Sequence, residues 1–222
     1  MPSRTLLSVC SVLALSLAAS GAVGTASASP TAPVVVMHGT GAVTHSTDAL
    51  PLTPSYATCA ENKGAPNGDG ITAQDFGPNY PEYVSEGAAD FTLDSECTVG
   101  AIAIRGTLFL GAATAATVWV YADEGGLPGA EVCTATVEGT GPDFVLPVEG
   151  CTLAAGSYWL GAQVAMDFET EGQWYWATTN QVLGGVDAWR NPGGGFGTTC
   201  SDWGYIDACL GFSYEYIFSI KM

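Results

Sequence analysis

Apolar and polar positions in this chain alternate with the period of a β-strand, and no segment repeats with the period of a helix. In AIAIRGTLFL (101–110) one face carries Ile102, Ile104, Gly106, Leu108 and Leu110, which places Arg105 on the other. In SYWLGAQVAMDF (157–168) the inward set is Tyr158, Leu160, Ala162, Val164, Met166 and Phe168, with Trp159, Gln163 and Asp167 opposite. The run SYEYIFSI (213–220) puts Tyr214, Tyr216, Phe218 and Ile220 inward against Ser213, Glu215, Ile217 and Ser219. Between them lie TVWVYA (117–122), AEVCTATV (130–137), DFVLPV (143–148) and GQWYWATT (172–179), separated by Gly, Pro, Asp and Asn. Short alternating runs with regular turn signals predict an all-β protein, a two-sheet antiparallel β-sandwich of jelly-roll-like form with eight to ten strands.

The N-terminal part breaks this pattern. Arg4, the apolar block Leu6–Ala19 and the triplet Ala26-Ser27-Ala28 have the layout of a secretory signal peptide, so residues 1–28 are expected to be cleaved after Ala28. The apolar block is too short for a bilayer, and Cys10 leaves with it instead of serving as a lipid anchor. Residues 29–54 are a Ser/Thr/Pro/Gly/Ala-rich arm to which no structure is assigned, and 55–222 form one domain. Nothing after Met222 reads as a surface-sorting tail, so release to the medium or periplasm is expected.

Composition narrows the partners. Of five Lys and Arg residues, Arg4 belongs to the leader, leaving Lys63, Arg105, Arg190 and Lys221 against 22 carboxylates. Such a surface cannot replace phosphate counterions, which excludes nucleic acid and disfavours anionic membranes. No second stretch is apolar enough to span a membrane. The oligomeric state is not encoded in any feature of the pattern. Beyond Cys10 there are six cysteines, Cys59, Cys97, Cys133, Cys151, Cys200 and Cys209. An even number in an exported chain reads as a disulfide framework. Many pairings are formally open, and the sequential one, 59–97, 133–151 and 200–209, is favoured. No C-x-x-C spacing or nearby histidine suggests zinc.

Few motifs carry chemistry. NGDGITAQD (67–75) superficially resembles a calcium loop, but Ala65 and Phe76 fall where oxygen ligands are required, so it reads as a turn pair leading into a strand. In YADEGGLPG (121–129), Asp123 and Glu124 are candidate ligands for calcium, against a simpler role in a Gly-Gly and Pro-Gly turn. Trp174, Trp176, Trp189, Arg190, Asn191, Trp203 and Tyr205 are candidate ligand-binding residues. Flat aromatics can stack on sugar rings while polar neighbours bind hydroxyls. The competing role for the same residues is a cap over the sandwich core, with Arg190 paired to Asp187 or Asp202 and Phe196 plugged inward. Both histidines, His38 and His45, lie in the arm, so a histidine-dependent nucleophile is not expected, and no order of residues singles out a catalytic carboxylate pair.

Taken together, VYADEGGLPGAEVC, CTLAAGSYWLGAQVAMDF, GQWYW, AWRNPGGGFGTTCSDW and ACLG resemble a family of bacterial secreted or cell-surface β-sandwich modules. In that family a GLPG turn, an AGxYW strand and an NPGGGFG loop recur in this order. The resemblance covers residues 90–220 and implies a non-catalytic extracellular module without an established activity. The expected function is therefore binding or adhesion toward a glycan or a cell-surface protein. A secreted carboxylate-dependent hydrolase and a purely structural protein are the alternatives.

Overall fold

A computed structural model describes residues 32–39, 44–45, 57–62, 64–182 and 184–222. The expected leader, residues 1–28, lies outside the described residues. In chain order the strands are β1 (Val36–Met37), β2 (Thr44–His45), β3 (Thr58–Asn62), β4 (Pro66–Thr72), β5 (Gln74–Asp75), β6 (Glu86–Leu93), β7 (Cys97–Ile104) and β8 (Gly106–Phe109). They continue as β9 (Ala115–Asp123), β10 (Pro128–Glu138), β11 (Phe144–Leu153), β12 (Gly156–Ala165), β13 (Gln173–Thr179), β14 (Ala188–Arg190), β15 (Gly204–Tyr205), β16 (Glu215–Tyr216) and β17 (Phe218–Lys221). One helical turn, α1 (Ile206–Leu210), follows β15.

The protein is all-β, and its pairings are antiparallel apart from β5 on β12. One sheet runs β10-β9-β12-β6-β14-β15. Facing strands form two ladders, β1-β4-β13-β8-β2 with β16 on β13, and β11-β7-β17-β3. These ladders share chain: β7 runs into β8 through Arg105, and β16 into β17 through Ile217. At the crossing Arg105 N–H donates to Ile217 O (3.2 Å), Ile217 N–H to Ala177 O (3.0 Å) and Ala177 N–H to Arg105 O (2.9 Å). Backbone hydrogen bonding therefore continues across the bend.

The expected faces meet in one core, where Val118, Val120, Leu160, Ala162 and Val164 cluster with Ile102, Ile104, Leu146 and Ile220. Two expectations need correction. Leu110 is 43 % exposed at a positive φ of 69°, because the chain leaves the strand there and the alternation no longer applies. The last strand is buried on both faces from Glu215 to Lys221, since other parts of the chain cover its second side. The arm also carries structure where none was assigned: β1 pairs with β4 and β2 with β8, and Met37 is buried. Gln173 grips this segment with Nε2 donating to Val34 O and Oε1 accepting from Val34 N–H.

Three disulfides join Cys59 to Cys97, Cys133 to Cys151 and Cys200 to Cys209. The second ties β10, an edge of one sheet, to β11, an edge of the other, and so clips the sandwich along one side. The third spans nine positions in sequence. Replacing both its cysteines with serine should cost about 2.5 kcal/mol by loop-closure entropy. Denaturant unfolding of that variant in the oxidised state checks this, and an unchanged midpoint contradicts it.

Candidate functional site

The loop WRNPGGGFG (189–197) is built as a core cap. Trp189 is completely buried, and its Nε1 donates to Thr72 O at 2.8 Å. Asn191 is also buried, with Nδ2 donating to Glu82 O and Val84 O and Oδ1 accepting from Phe196 N–H. Phe196 then inserts against Phe76, Tyr83 and Trp189 at 5.1–5.9 Å between ring centroids. Gly193 lies so close to Glu82 that a Cβ there would stand 2.5 Å from the Glu82 Cα. Gly193→Ala should therefore cost about 1–3 kcal/mol through backbone displacement, measured as a fall in melting temperature; an unchanged value would show that the contact yields.

Trp174 and Trp176 are likewise completely buried. Trp174 Nε1 donates to Pro142 O and Trp176 Nε1 to Ile217 O, and Trp176 stacks on Tyr216 at 4.3 Å. As a correction, Trp174, Trp176, Trp189 and Asn191 are not on a ligand-accessible surface. Period-two alternation assigns two faces, but β13 is covered on both.

Arg190 pairs with neither Asp187 nor Asp202. Its register partner across the β14–β6 ladder is Glu86, and both Nε (3.2 Å) and NH2 (2.6 Å) donate to Glu86 Oε2. Side chains directly opposite on neighbouring strands meet in this way. The other Glu86 oxygen accepts from the Tyr121 hydroxyl at 2.7 Å, and the guanidinium lies over the Trp203 ring at 4.3 Å. Burial pushes the Glu86 carboxyl above its ordinary value, and the Arg190 charge works against that rise. Tyr121 and Trp159, with Ala88 and Ala188, form a small second cluster on the outer face of this sheet, against which Trp203 packs.

Beside this cluster opens a cavity of about 450 Å³. Its walls come from β6, β12, the tip of the β9–β10 hairpin and the loop closed by the Cys200–Cys209 disulfide. Asp90, Asp123 and Asp207 line it together with Tyr158, Trp159 and Tyr205. Asp123 is fixed by Trp159 Nε1–H to Oδ1 (2.9 Å) and Gly126 N–H to Oδ2 (3.2 Å). Asp90 Oδ2 accepts from Gly185 N–H at 2.9 Å. Tyr158 stacks on Phe91 at 5.7 Å, and Tyr205 is 38 % exposed. Gly126, at φ 90°, is needed beside Tyr205, whose hydroxyl oxygen lies 2.5 Å from where a Cβ would stand.

A second cavity of about 200 Å³ shares Asp90, Phe91 and Thr92 with the first and is lined also by Glu61, Asp187 and Glu215. Asp187 is buried and accepts from Asp90 N–H (3.2 Å) and Tyr216 N–H (2.6 Å). Burial and the nearby charges of Glu215 and Asp90 hold its carboxyl well above the carboxylate range. A group whose folded pKa is raised stabilises the fold below its unfolded pKa and loses that contribution as pH rises through the folded value. Asp187 and Glu86 both act in this direction. The melting temperature should thus fall as pH rises from the ordinary carboxylate value toward neutrality and above, and a temperature that climbs over this window would contradict the assignment.

Of the expected site residues, the structure brings Asp123, Trp203 and Tyr205 to this region and leaves Arg190 beneath Trp203. Glu124 belongs to the hairpin turn, where its N–H donates to Leu127 O. Among the described residues no group of three or more His, Cys, Asp or Glu is placed to hold a metal. His38 leaves the arm to contact Asp69 on β4 at 3.2 Å. The sequence reading missed Asp90, Tyr158 and Asp207. The alternation places Tyr158 inward, and its ring does stack on Phe91, but it also lines the cavity.

No protein family matches this sequence, and no curated protein matches it. Among solved structures, it is similar to the cysteine protease and lectin-like domains of Cwp84, a surface layer associated protein of Clostridium difficile. That likeness has 14% identity and a TM-score of 0.43, over 62% of this chain and 31% of the other. A second clostridial Cwp84 structure, determined after propeptide cleavage, gives 13% identity and a TM-score of 0.42, over 62% and 35%. The chain thus spans about a third of the length of either.

Proposed function

We propose that this protein is an exported, non-catalytic binding module that recognises a glycan in the cleft between β6, β12, the β9–β10 hairpin and the Cys200–Cys209 loop. The observation that carries the reading is the 450 Å³ cavity, in which the rings of Tyr158, Trp159 and Tyr205 stand beside Asp90, Asp123 and Asp207. Ligand sites of roughly 300–1,000 Å³ combine apolar faces with a few fixed polar groups. Three disulfides fit an oxidising compartment, outside the cell or in the periplasm. No helix among the described residues is long and apolar enough to cross a membrane. The resemblance to secreted surface modules belongs to the same proposal.

A glycan array with the purified, oxidised protein tests this, run with calcium and with a chelator to examine Asp123 and Glu124 as ligands. The reading expects retention on a subset of glycans and a loss of about tenfold or more in Tyr205→Ala with an unchanged melting temperature. Equal retention by Tyr205→Ala, or none by the wild type, would remove the cleft as the binding site.

A further inference from the structure

We infer that the glycan taken by this cleft carries free amino groups and is bound in its ammonium form. This rests on the glycan reading above and names the chemical class of the ligand.

The two cavities share the β6 segment Asp90 to Thr92 in their walls. No basic side chain lines either cavity among the described residues. Arg190 is committed to Glu86, and Lys221 to Glu61 at 3.1 Å. The acids of the larger cavity are also oriented in advance. Indole and backbone N–H groups hold Asp123 and Asp90, and Asp207 Oδ1 accepts from Ala208 N–H at 2.7 Å. Ionised carboxylates only accept hydrogen bonds, so this wall asks for donors without lone pairs.

A neutral sugar meets that demand poorly, because each hydroxyl brings acceptor lone pairs with its proton. An N-acetylated sugar offers one amide N–H and adds a carbonyl acceptor. An ammonium offers three donors and no acceptor, and its charge is complementary. The aromatic walls select a ring-shaped carrier over a flexible lysine chain. Tyr205 is partly exposed and Tyr158 is braced on Phe91, and both line the cavity with the acids. Flat rings supply contact area with little side-chain ordering, while the carboxylates hold the amine.

The test is calorimetric titration of the full oxidised protein at pH 6 with four probes: the β-1,4-linked tetramers of glucosamine, of N-acetylglucosamine and of glucose, and tetralysine. The glucosamine tetramer should bind about tenfold or more tighter than each of the others, as expected for hydrogen bonds to charged groups. Asp207→Asn should weaken that binding several-fold and leave the melting temperature unchanged. If the N-acetylated or glucose tetramer binds equally well, the ammonium inference falls and the glycan reading stands. If tetralysine alone binds, or no probe does, both fall. If Asp207→Asn binds the glucosamine tetramer as tightly as wild type does, the amine does not sit in this cleft and the inference is overturned.

Discussion

Replacing Trp189 with alanine is expected to cost about 3–5 kcal/mol of folding stability, the range for removing a large buried aromatic. No part of this indole reaches solvent, and it packs within the main core beside Phe196. Its Nε1–H is satisfied by Thr72 O, which ties β14 to the end of β4. Trp189→Phe should fall between wild type and alanine, because it keeps most of the volume and loses the donor. Urea unfolding of the three proteins measures this. A loss below about 1 kcal/mol for the alanine variant would show that Trp189 can leave the core at little cost, and would return it to the list of ligand-facing residues.

Arg190→Met should be almost as damaging, at about 3 kcal/mol near neutral pH. The substitution keeps much of the stem but removes the guanidinium that lies over Trp203 and strands Glu86, whose side chain is only 7% exposed. The lower end of the usual range for a broken buried pair applies because Arg190 itself is 28% exposed. The deficit has a distinctive pH dependence. Arg190 lowers the Glu86 pKa, so its removal raises the folded value further above the unfolded one. The variant therefore loses most stability where Glu86 must ionise, and its deficit should shrink as the pH is lowered and Glu86 becomes protonated. Adding Glu86→Gln should recover part of the loss at neutral pH. A deficit that is constant across pH, with no recovery in the double variant, would mean that Arg190 acts through packing on Trp203 alone.

These two residues show how far the sequence can be read. Strict alternation in residues 157–168 locates Leu160, Ala162 and Val164 in the core because strand side chains alternate faces by geometry. Six cysteines beyond the expected leader imply the disulfide framework, and the three bonds join sequential pairs. Phe196 follows a turn-forming Asn-Pro and three glycines, so its return to the core was legible too. The same alternation failed to identify exposed aromatics, because it says which side of a strand a residue occupies and not what covers that side. Trp174 and Trp176 were legible as large rings on a strand; their burial, like that of Trp189, depends on segments distant in sequence. The partner of Arg190 was similarly hidden. Glu86 is 104 residues away and becomes its neighbour through the β14–β6 register alone.

The cleft depends most on tertiary structure. Asp90, Asp123, Tyr158 and Asp207 come from β6, a hairpin tip, β12 and a disulfide-closed loop. Each is ordinary in its local context, and no spacing links them. By itself, then, the sequence determined what acts locally or statistically: an all-β chain, its inward faces, an acidic surface and cysteines suited to an oxidising compartment. Only the tertiary structure decided which aromatics became core, which carboxylate neutralises Arg190 and where acids and rings converge. Those outcomes depend on strand register and on the covering of one sheet face by distant loops, and short-range alternation carries neither.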